Sequence, residues 1–322
     1  MVTIGTENND TLLGTSGNDA IAGLEADDLI FGDAGNDTMY GGVDNLTDSL
    51  VVGGGDDVIF GGEGDDLIFN SFGNDELYGG SGNDTLVSEE SFIQTMGSNL
   101  LDGGEGRDKV VYLNTRVSIN LADGTVTTES DFVRRSDRLA NIEDIEVTGS
   151  DSKIIGDGKD NSFSGTHGND TIYGAGGNDT IDGFGGSDIL GGDGGNDFIR
   201  GRSGSDTLMG TSSHTRGRNE VDILEKMYSE SSFLERETDS FVLGDRDGAY
   251  YTADGDGDYA EIINFQSGVD KLMLHGAANQ YEISTLDGTT RVSYVEADNS
   301  DLIAILKSNT DINLAEDAVY MN

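Results

Sequence analysis

The chain has 322 residues, 18 basic against 62 acidic, and a formal charge of −44, so nucleic acid and anionic membrane surfaces would repel it. It has 49 glycines but no cysteine, proline or tryptophan, which excludes a disulfide framework, a thiolate metal site, a cysteine nucleophile and a collagen helix. Only 34% of residues are apolar, too few for a hydrophobic core alone to offset ordering entropy, so an ordered fold needs a second source of cohesion, and a multivalent cation is the obvious one.

Met1 to Asp10 hold neither a basic region nor an apolar run, so no cleavable signal peptide is expected there. Nor does any stretch approach the 18 consecutive apolar residues of a membrane-spanning helix. Aspartates then recur nine apart at Asp10, Asp19, Asp28 and Asp37. After a two-residue insertion around Leu46 they resume at Asp48, Asp57, Asp66, Asp75 and Asp84, with a further unit on Asp108. A second block has Asn161, Asp170, Asp179, Asp188, Asp197 and Asp206, with looser echoes at Asp222 and Asp239. Two residues after each marker stands an apolar side chain, from Leu12, Ile21 and Ile30 to Leu208, Leu224 and Phe241. A sequence one-third apolar does not do this by chance.

One unit reads Gly61-Gly62-Glu63-Gly64-Asp65-Asp66-Leu67-Ile68-Phe69. Glycines at positions one, two and four suit a tight turn with positive φ, and the Asn or Asp at position five (Asn18, Asp27, Asn36, Asp56, Asn74) tolerates the same region. Positions seven to nine make a short strand with position eight inward. Two nonapeptides form a coil, so each aspartate faces the one eighteen residues on. Calcium takes six to eight oxygens from carboxylates and carbonyls, and pairs such as Asp10 with Asp28, Asp19 with Asp37, Asp48 with Asp66, Asp57 with Asp75 and Asp170 with Asp188 are expected to share ions. The expected metal ligands are the sixteen markers from Asp10 to Asp206. Their turns add the backbone carbonyls of Gly17, Gly35, Gly61, Gly62, Gly64, Gly79, Gly80, Gly82, Gly168, Gly177, Gly186, Gly195 and Gly204. This implies on the order of ten calcium ions, with binding coupled to folding.

These repeats resemble the RTX family, the secreted bacterial proteins with haemolysin-type calcium-binding nonapeptides. The resemblance implies an all-β fold: a right-handed parallel β-roll in two blocks with a C-terminal antiparallel β cap. Residues 1–111 form the first block. Residues 112–155, with Val117, Ile119 and Leu121 alternating, are expected to be degenerate coils that continue the roll without metal. The second block spans 156–211, a linker or short helix 212–238, and the cap with a secretion signal 239–322. The resemblance further implies export from the cytoplasm by a type I system with an uncleaved C-terminal signal, and an extracellular or cell-surface location. Asp254, Asp256 and Asp258 begin like an EF-hand loop, but Tyr259 and Phe265 stand where its glycine and glutamate belong.

No catalytic motif is present, and the histidines His167, His214 and His275 are scattered, so no enzyme and no catalytic residue are expected. Position nine in the first block gives two outward apolar stripes, Leu13, Phe31, Val51, Phe69, Val87 and Ala22, Tyr40, Phe60, Tyr78. They suit packing along the roll, self-association, or contact with a cell surface or polysaccharide. The expected function is a secreted calcium-binding protein with a structural, surface or adhesive role. A non-catalytic accessory or enzyme acting on extracellular polysaccharide is the alternative, and ice or mineral binding a lesser one.

Overall fold

The computed structural model describes residues 1–42, 54–89, 97–113, 116–129, 134–212, 220–226, 237–252, 257–286, 289–296, 299–307 and 312–321. The chain divides into two units, Met1–Ser150 and Asp151–Asn322. In each, short strands alternate between two sheets, because three extended residues followed by a tight turn send the chain across and back every nine residues.

In the first unit one sheet runs Val2–Ile4, Ala20–Ala22, Thr38–Tyr40, Leu67–Phe69, Thr85–Glu89, Lys109–Leu113 and Asp144–Val147, all parallel. The other runs Thr11–Leu13, Leu29–Ala34, Val58–Glu63, Glu76–Ser81, Leu100–Glu105 and Arg134–Ala140 in parallel, then Thr125–Glu129 and Arg116–Asn120 antiparallel. The register advances by eighteen residues at Thr11↔Leu29 and Ala20↔Thr38. It advances by twenty-nine at Leu29↔Val58 and Thr38↔Leu67. The insertion is therefore eleven residues, not two. Either length keeps the aspartates nine apart on both sides, so the strand pairing and not the spacing decides between them. Asp48 falls in 43–53, outside the described residues, and the strand register passes over it.

That step also re-sorts the position-nine side chains. Phe31 stacks on Phe60 at 5.2 Å between ring centroids, Phe60 on Tyr78 at 4.9 Å, and Tyr40 on Phe69 at 4.6 Å. The stripes expected from a two-residue insertion, Phe31 with Phe69 and Tyr40 with Phe60, do not form. The rings are half-buried against one another, and parallel stacking leaves mainly their edges outward.

In the second unit one sheet runs Ser162–Ser164, Thr180–Asp182, Phe198–Arg200, Val221–Glu225, Tyr259–Ile263 and Asn299–Lys307 in parallel, followed by antiparallel Thr289–Glu296 and Tyr281–Leu286. The other is parallel throughout: Lys153–Ile155, Thr171–Gly176, Ile189–Gly194, Thr207–Thr211, Ser240–Val242, Lys271–His275 and Ala318–Met321. The antiparallel cap is thus present over Tyr281–Lys307, with parallel strands before and after it. Within 212–238, Val221–Glu225 is a strand of the roll rather than a helix, while 213–219 and 227–236 lie outside the described residues. Among the described residues no helix is long and apolar enough to cross a membrane.

The core of the repeats is one side chain wide. Ile30, Ile59 and Leu77 on one side, with Ile21, Met39, Ile68 and Leu86 on the other, have no exposed surface. Toward the C-terminus it broadens, adding buried Leu243, Tyr251, Phe265, Leu274, Val292, Ile303 and Leu306.

Candidate metal centre

Position six builds a ladder along each side of each unit. In the first unit the amide of Asp10 donates to Asp28 Oδ1 (2.8 Å), Asp28 to Asp57 (2.8 Å), Asp57 to Asp75 (3.0 Å) and Asp75 to Asn99 (2.9 Å), and Asn99 to Asp137 (2.8 Å). Opposite run Asp19 to Asp37 (2.8 Å), Asp37 to Asp66 (2.7 Å), Asp66 to Asp84 and Asp84 to Asp108 (2.8 Å each), ending on Glu143 Oε2 (3.0 Å). In the second unit Ser152, Asp170, Asp188, Asp206, Asp239 and Asp270 form one ladder. Asn161, Asp179, Asp197 and Asp222 form the other. The structure brings together every expected pair except Asp48 with Asp66; Asp66 meets Asp37 instead. The nine-residue count does not reach Asn99, Asp137, Glu143 and Asp270, because longer excursions precede them.

One carboxylate oxygen makes the rung; the turns differ in what meets the other. In a first kind of turn the residue at position two is not left-handed, and its own N–H closes on Oδ2: Thr6 on Asp10 (2.6 Å), Thr15 on Asp19 (2.5 Å), Ser71 on Asp75 (3.0 Å) and Thr166 on Asp170 (2.6 Å). Asp57 Oδ2 is met from outside its turn, by the Ser71 hydroxyl at 2.7 Å. In the second kind, positions two and four both have positive φ, as in Leu24 and Ala26, Asp33 and Gly35, Gly62 and Gly64, Phe184 and Gly186, Asp193 and Gly195, and Arg202 and Gly204. There the buried Oδ2 atoms of Asp28, Asp37, Asp66, Asp84, Asp188, Asp197 and Asp206 have no hydrogen-bond partner among the described residues. Non-glycine residues such as Phe184 hold this conformation at a cost of about 1–3 kcal/mol.

The glycines have two distinct tasks. Gly61, at position one, lacks a positive φ; a Cβ there would meet both Asp66 Oδ2 and the Gly79 carbonyl. Gly64, at position four, has φ +131°, and a Cβ would meet the Gly35 carbonyl. The carbonyls of Gly61 and Gly79 therefore lie beside Asp37 and Asp66 Oδ2, and those of Gly35, Gly64, Gly177 and Gly186 stack from coil to coil, as do those of Gly62 and Gly80 at position two. Gly17 and Gly168 sit in the Thr-closed turns. Among the described residues no three acidic or histidine side chains converge on one point, so an ion here would draw on one or two carboxylates plus carbonyl oxygens, a donor set of the hard type that calcium prefers.

Burial drives these carboxyls upward, against the ladder hydrogen bonds that favour the charged form. Asp66 is raised to about 6, Asp84 and Asp206 to about 7, and Asp188 and Asp197 to about 8. Neighbouring rungs add like-charge repulsion, Asp37 on Asp66 and Asp206 on Asp188. A cation between rungs would reverse both effects.

Position five works differently from the sequence expectation. None of Asn18, Asp27, Asn36, Asp56 and Asn74 is left-handed. Their side chains accept the amide of the same position one coil on, Asp56 to Asp27 Oδ1 at 2.9 Å and Asn74 to Asp56 Oδ1 at 2.7 Å, with Asn178 to Asp160 and Asn196 to Asn178 in the second unit. The nine-residue recurrence of Asn and Asp is the signal for this outer ladder. Asp254 and Asp256 lie outside the described residues; Asp258 is buried.

The family model described as the RTX calcium-binding nonapeptide repeat (four copies) matches residues 4–39, 43–77, 71–90, 148–181, 155–190 and 182–213. No curated protein matches the chain. Among solved structures, the AlgE6R3 subunit of the Azotobacter vinelandii mannuronan C5-epimerase is 20% identical over 50% of this chain and 78% of its own, with a TM-score of 0.28. The extracellular lipase LipA from Serratia marcescens is 16% identical over 88% of this chain and 45% of its own, with a TM-score of 0.26. The fold follows from the strand register, and likenesses at these TM-scores add nothing to it.

Proposed function

We propose that this chain, which carries the calcium-binding nonapeptide repeats of the RTX family in several copies, is a secreted protein that folds on meeting extracellular calcium and then serves a structural, cell-surface or adhesive role. The observation that carries this reading is the row of buried Oδ2 atoms without hydrogen bonds among the described residues at Asp28, Asp37, Asp66, Asp84, Asp188, Asp197 and Asp206. An ionised carboxylate buried without a partner is too costly to keep in rows. Calcium would supply the missing positive charge and accept the adjacent carbonyl oxygens as further ligands.

Asp37, Asp66 and Asp84, with the carbonyls of Gly61 and Gly79, would hold ions in the first unit, and Asp179, Asp188, Asp197 and Asp206 in the second. The turns closed by Thr6, Thr15, Ser71 and Thr166 already satisfy Asp10, Asp19, Asp75 and Asp170, so fewer ions than the order of ten suggested by the repeat count would suffice. Where calcium is scarce, rung-to-rung repulsion and a core one residue wide favour the unfolded chain. That state suits passage through a type I exporter, and folding outside would then make export one-way. The repeats would be non-catalytic, their carboxylates serving as rungs and ligands.

Far-UV circular dichroism with light scattering, during a titration from chelator to about 10 mM calcium, tests this reading. A cooperative gain of β signal is expected, and scattering that rises with it would point to assembly. Full β signal already present in chelator would overturn it.

A further inference from the structure

One ladder of the second unit runs into a buried amine. Lys226 directly follows the strand Val221–Glu225 and is 3% exposed. Its Nζ donates to Asp270 Oδ1 at 2.8 Å and to the Glu237 carbonyl at 3.0 Å, and lies 3.1 Å from Asp239 Oδ2. Asp239 and Asp270 are successive rungs: Asp206 N–H donates to Asp239 Oδ1 at 2.9 Å, and Asp239 N–H to Asp270 Oδ1 at 3.1 Å. On the two preceding rungs, Asp188 and Asp206, the corresponding Oδ2 has no hydrogen bond among the described residues. One rung further, the same atom of the same ladder faces an ammonium group with two more oxygens around it.

From these contacts we infer that Lys226 is a tethered cation that occupies the interval between Asp239 and Asp270, so that this end of the second unit closes without calcium. The contrast with the earlier rungs rests on reading those as calcium sites. An ammonium has three donors and no acceptor, and three oxygens surround this one. A buried ion pair is tolerated only when its remaining polar atoms are also satisfied. Here Asp270 Oδ2 takes the Gln266 N–H at 2.8 Å, and the Lys226 backbone carbonyl takes the Asn264 side-chain amide at 2.8 Å. The other ladder ends in kind, with the buried Tyr251 hydroxyl on Asp222 Oδ2 at 2.6 Å. The adjoining strands Ser240–Val242 and Lys271–His275 carry the buried Phe241, Leu272 and Leu274, with Phe265 5.8 Å from Phe241 between ring centroids. The strands Ser240–Val242 and Lys271–His275 are therefore a calcium-independent seat onto which the rungs of Asp206 and Asp188 assemble when the ion arrives.

Hydrogen exchange read by mass spectrometry on the full chain, in chelator and in millimolar calcium, tests this. In chelator the amides of 240–242 and 271–275 should exchange at least about a hundredfold more slowly than those of 171–176 and 189–194. Lys226→Met should remove that protection in chelator and regain it in calcium while binding about one further ion per chain. A purely structural lysine would give no extra ion. Unprotected 240–275 in wild-type chelator, or a Lys226→Met chain that stays protected there, would overturn the inference, as would recovery in calcium without the added ion. If Lys226→Met folds in neither condition, Asp239→Asn decides: the ammonium keeps two oxygens, so protection in chelator should stay within about tenfold of wild type, and its loss counts against the proposal. If 171–176 and 189–194 are also protected in chelator, calcium-gated folding fails, and the role of Lys226 still stands or falls on the variant.

Discussion

Asp37, Asp66 and Asp84 in the first unit and Asp206, Asp239 and Asp270 in the second use the same rung, an amide donating to the next Oδ1 at 2.7–3.1 Å. Asp206 Oδ2 is open like those of the first run; the difference begins at the other oxygen of Asp239 and Asp270. On the first run the buried Oδ2 atoms meet no donor among the described residues, and the core behind them is the single file Met39, Ile68 and Leu86. On the second, Lys226 and Gln266 meet Asp239 and Asp270, and the core is several residues deep. The rung itself is indifferent to how its charge is neutralised. A supplied cation would allow a thin core and make the fold conditional; a donor from the chain would make it unconditional but require a core thick enough to bury that donor.

The largest break in this contrast should come from Gly64→Val. Position four is left-handed at φ +131°, and a Cβ there would meet the Gly35 carbonyl. The strained backbone alone costs about 1–3 kcal/mol, and the clash adds a similar amount. In a roll with one core residue per strand this should abolish calcium-induced β signal from the first unit and leave the second intact, as hydrogen exchange of 67–69 against 198–200 would show. Equal protection of both would mean the stacked turns yield more than their geometry suggests.

Asp66→Asn should act less drastically. The amide keeps an oxygen for the Asp37 N–H but offers a neutral ligand, so the calcium midpoint of folding should rise by about tenfold, since ligand charge sets affinity. In chelator the variant should be no less stable than wild type, because one repelling charge is gone. The same change at Asp19, whose Oδ2 is held by Thr15, should move the midpoint by less than twofold. Equal shifts at the two positions would erase the distinction between open and closed turns.

Much of this contrast is legible in the sequence, and the illegible parts have physical reasons. The nine-residue recurrence of aspartate and of the apolar side chain two later fixes strands, inward face and ladders. It cannot separate Asp48 from the true rungs, because a short insertion preserves spacing whether or not the chain rejoins the stack; the strand pairings Leu29↔Val58 and Thr38↔Leu67 decide that. Val117, Ile119 and Leu121 alternate as a strand does, but the antiparallel return through Gly124 (φ +66°) lies outside the period. Val221, Ile223 and Leu224 suit a helix or a strand equally, and pairing with Phe198–Arg200 settles it. Lys226 among glutamates looks like a solvated surface lysine. Only burial beside Asp239 and Asp270 gives it a role.

Acidity should move the two runs unequally. The folded carboxyls of Asp66, Asp84, Asp188, Asp197 and Asp206 are raised by burial to between about 6 and 8, while in the unfolded chain they titrate near 4. Between these limits the folded state binds the extra protons, so the metal-free roll gains stability as pH falls from 8 towards 4 and loses it as pH rises through 6 to 8. In calcium-free buffer the β signal should therefore grow on acidification from pH 8 to 5. Calcium must displace those protons, so its apparent affinity should fall over the same range. Strands 240–242 and 271–275, neutralised by Lys226, should change least. A β signal that declines steadily from pH 8 to 5 would contradict the sign.

The smallest and sharpest test turns a closed turn into an open one. In the turn ending at Asp170, Thr166 donates its N–H to Oδ2 at 2.6 Å and its hydroxyl at 3.1 Å, and the same hydroxyl accepts the Gly168 N–H at 2.8 Å. One coil on, in the turn ending at Asp188, position two is Phe184 at φ +67° and Oδ2 is open. Thr166→Gly removes the hydroxyl and frees position two to take the left-handed conformation. Losing those bonds should cost about 1 kcal/mol in chelator, a shift of a few degrees in melting temperature for a unit of this size. In calcium the variant should bind about one more ion than wild type and recover the lost stability. Thr166→Val, which is β-branched and resists positive φ, should lose the hydroxyl without gaining the ion. An extra ion in the glycine variant alone would place the choice between open and closed turns in the backbone at position two; extra ions in both would place it in the hydroxyl.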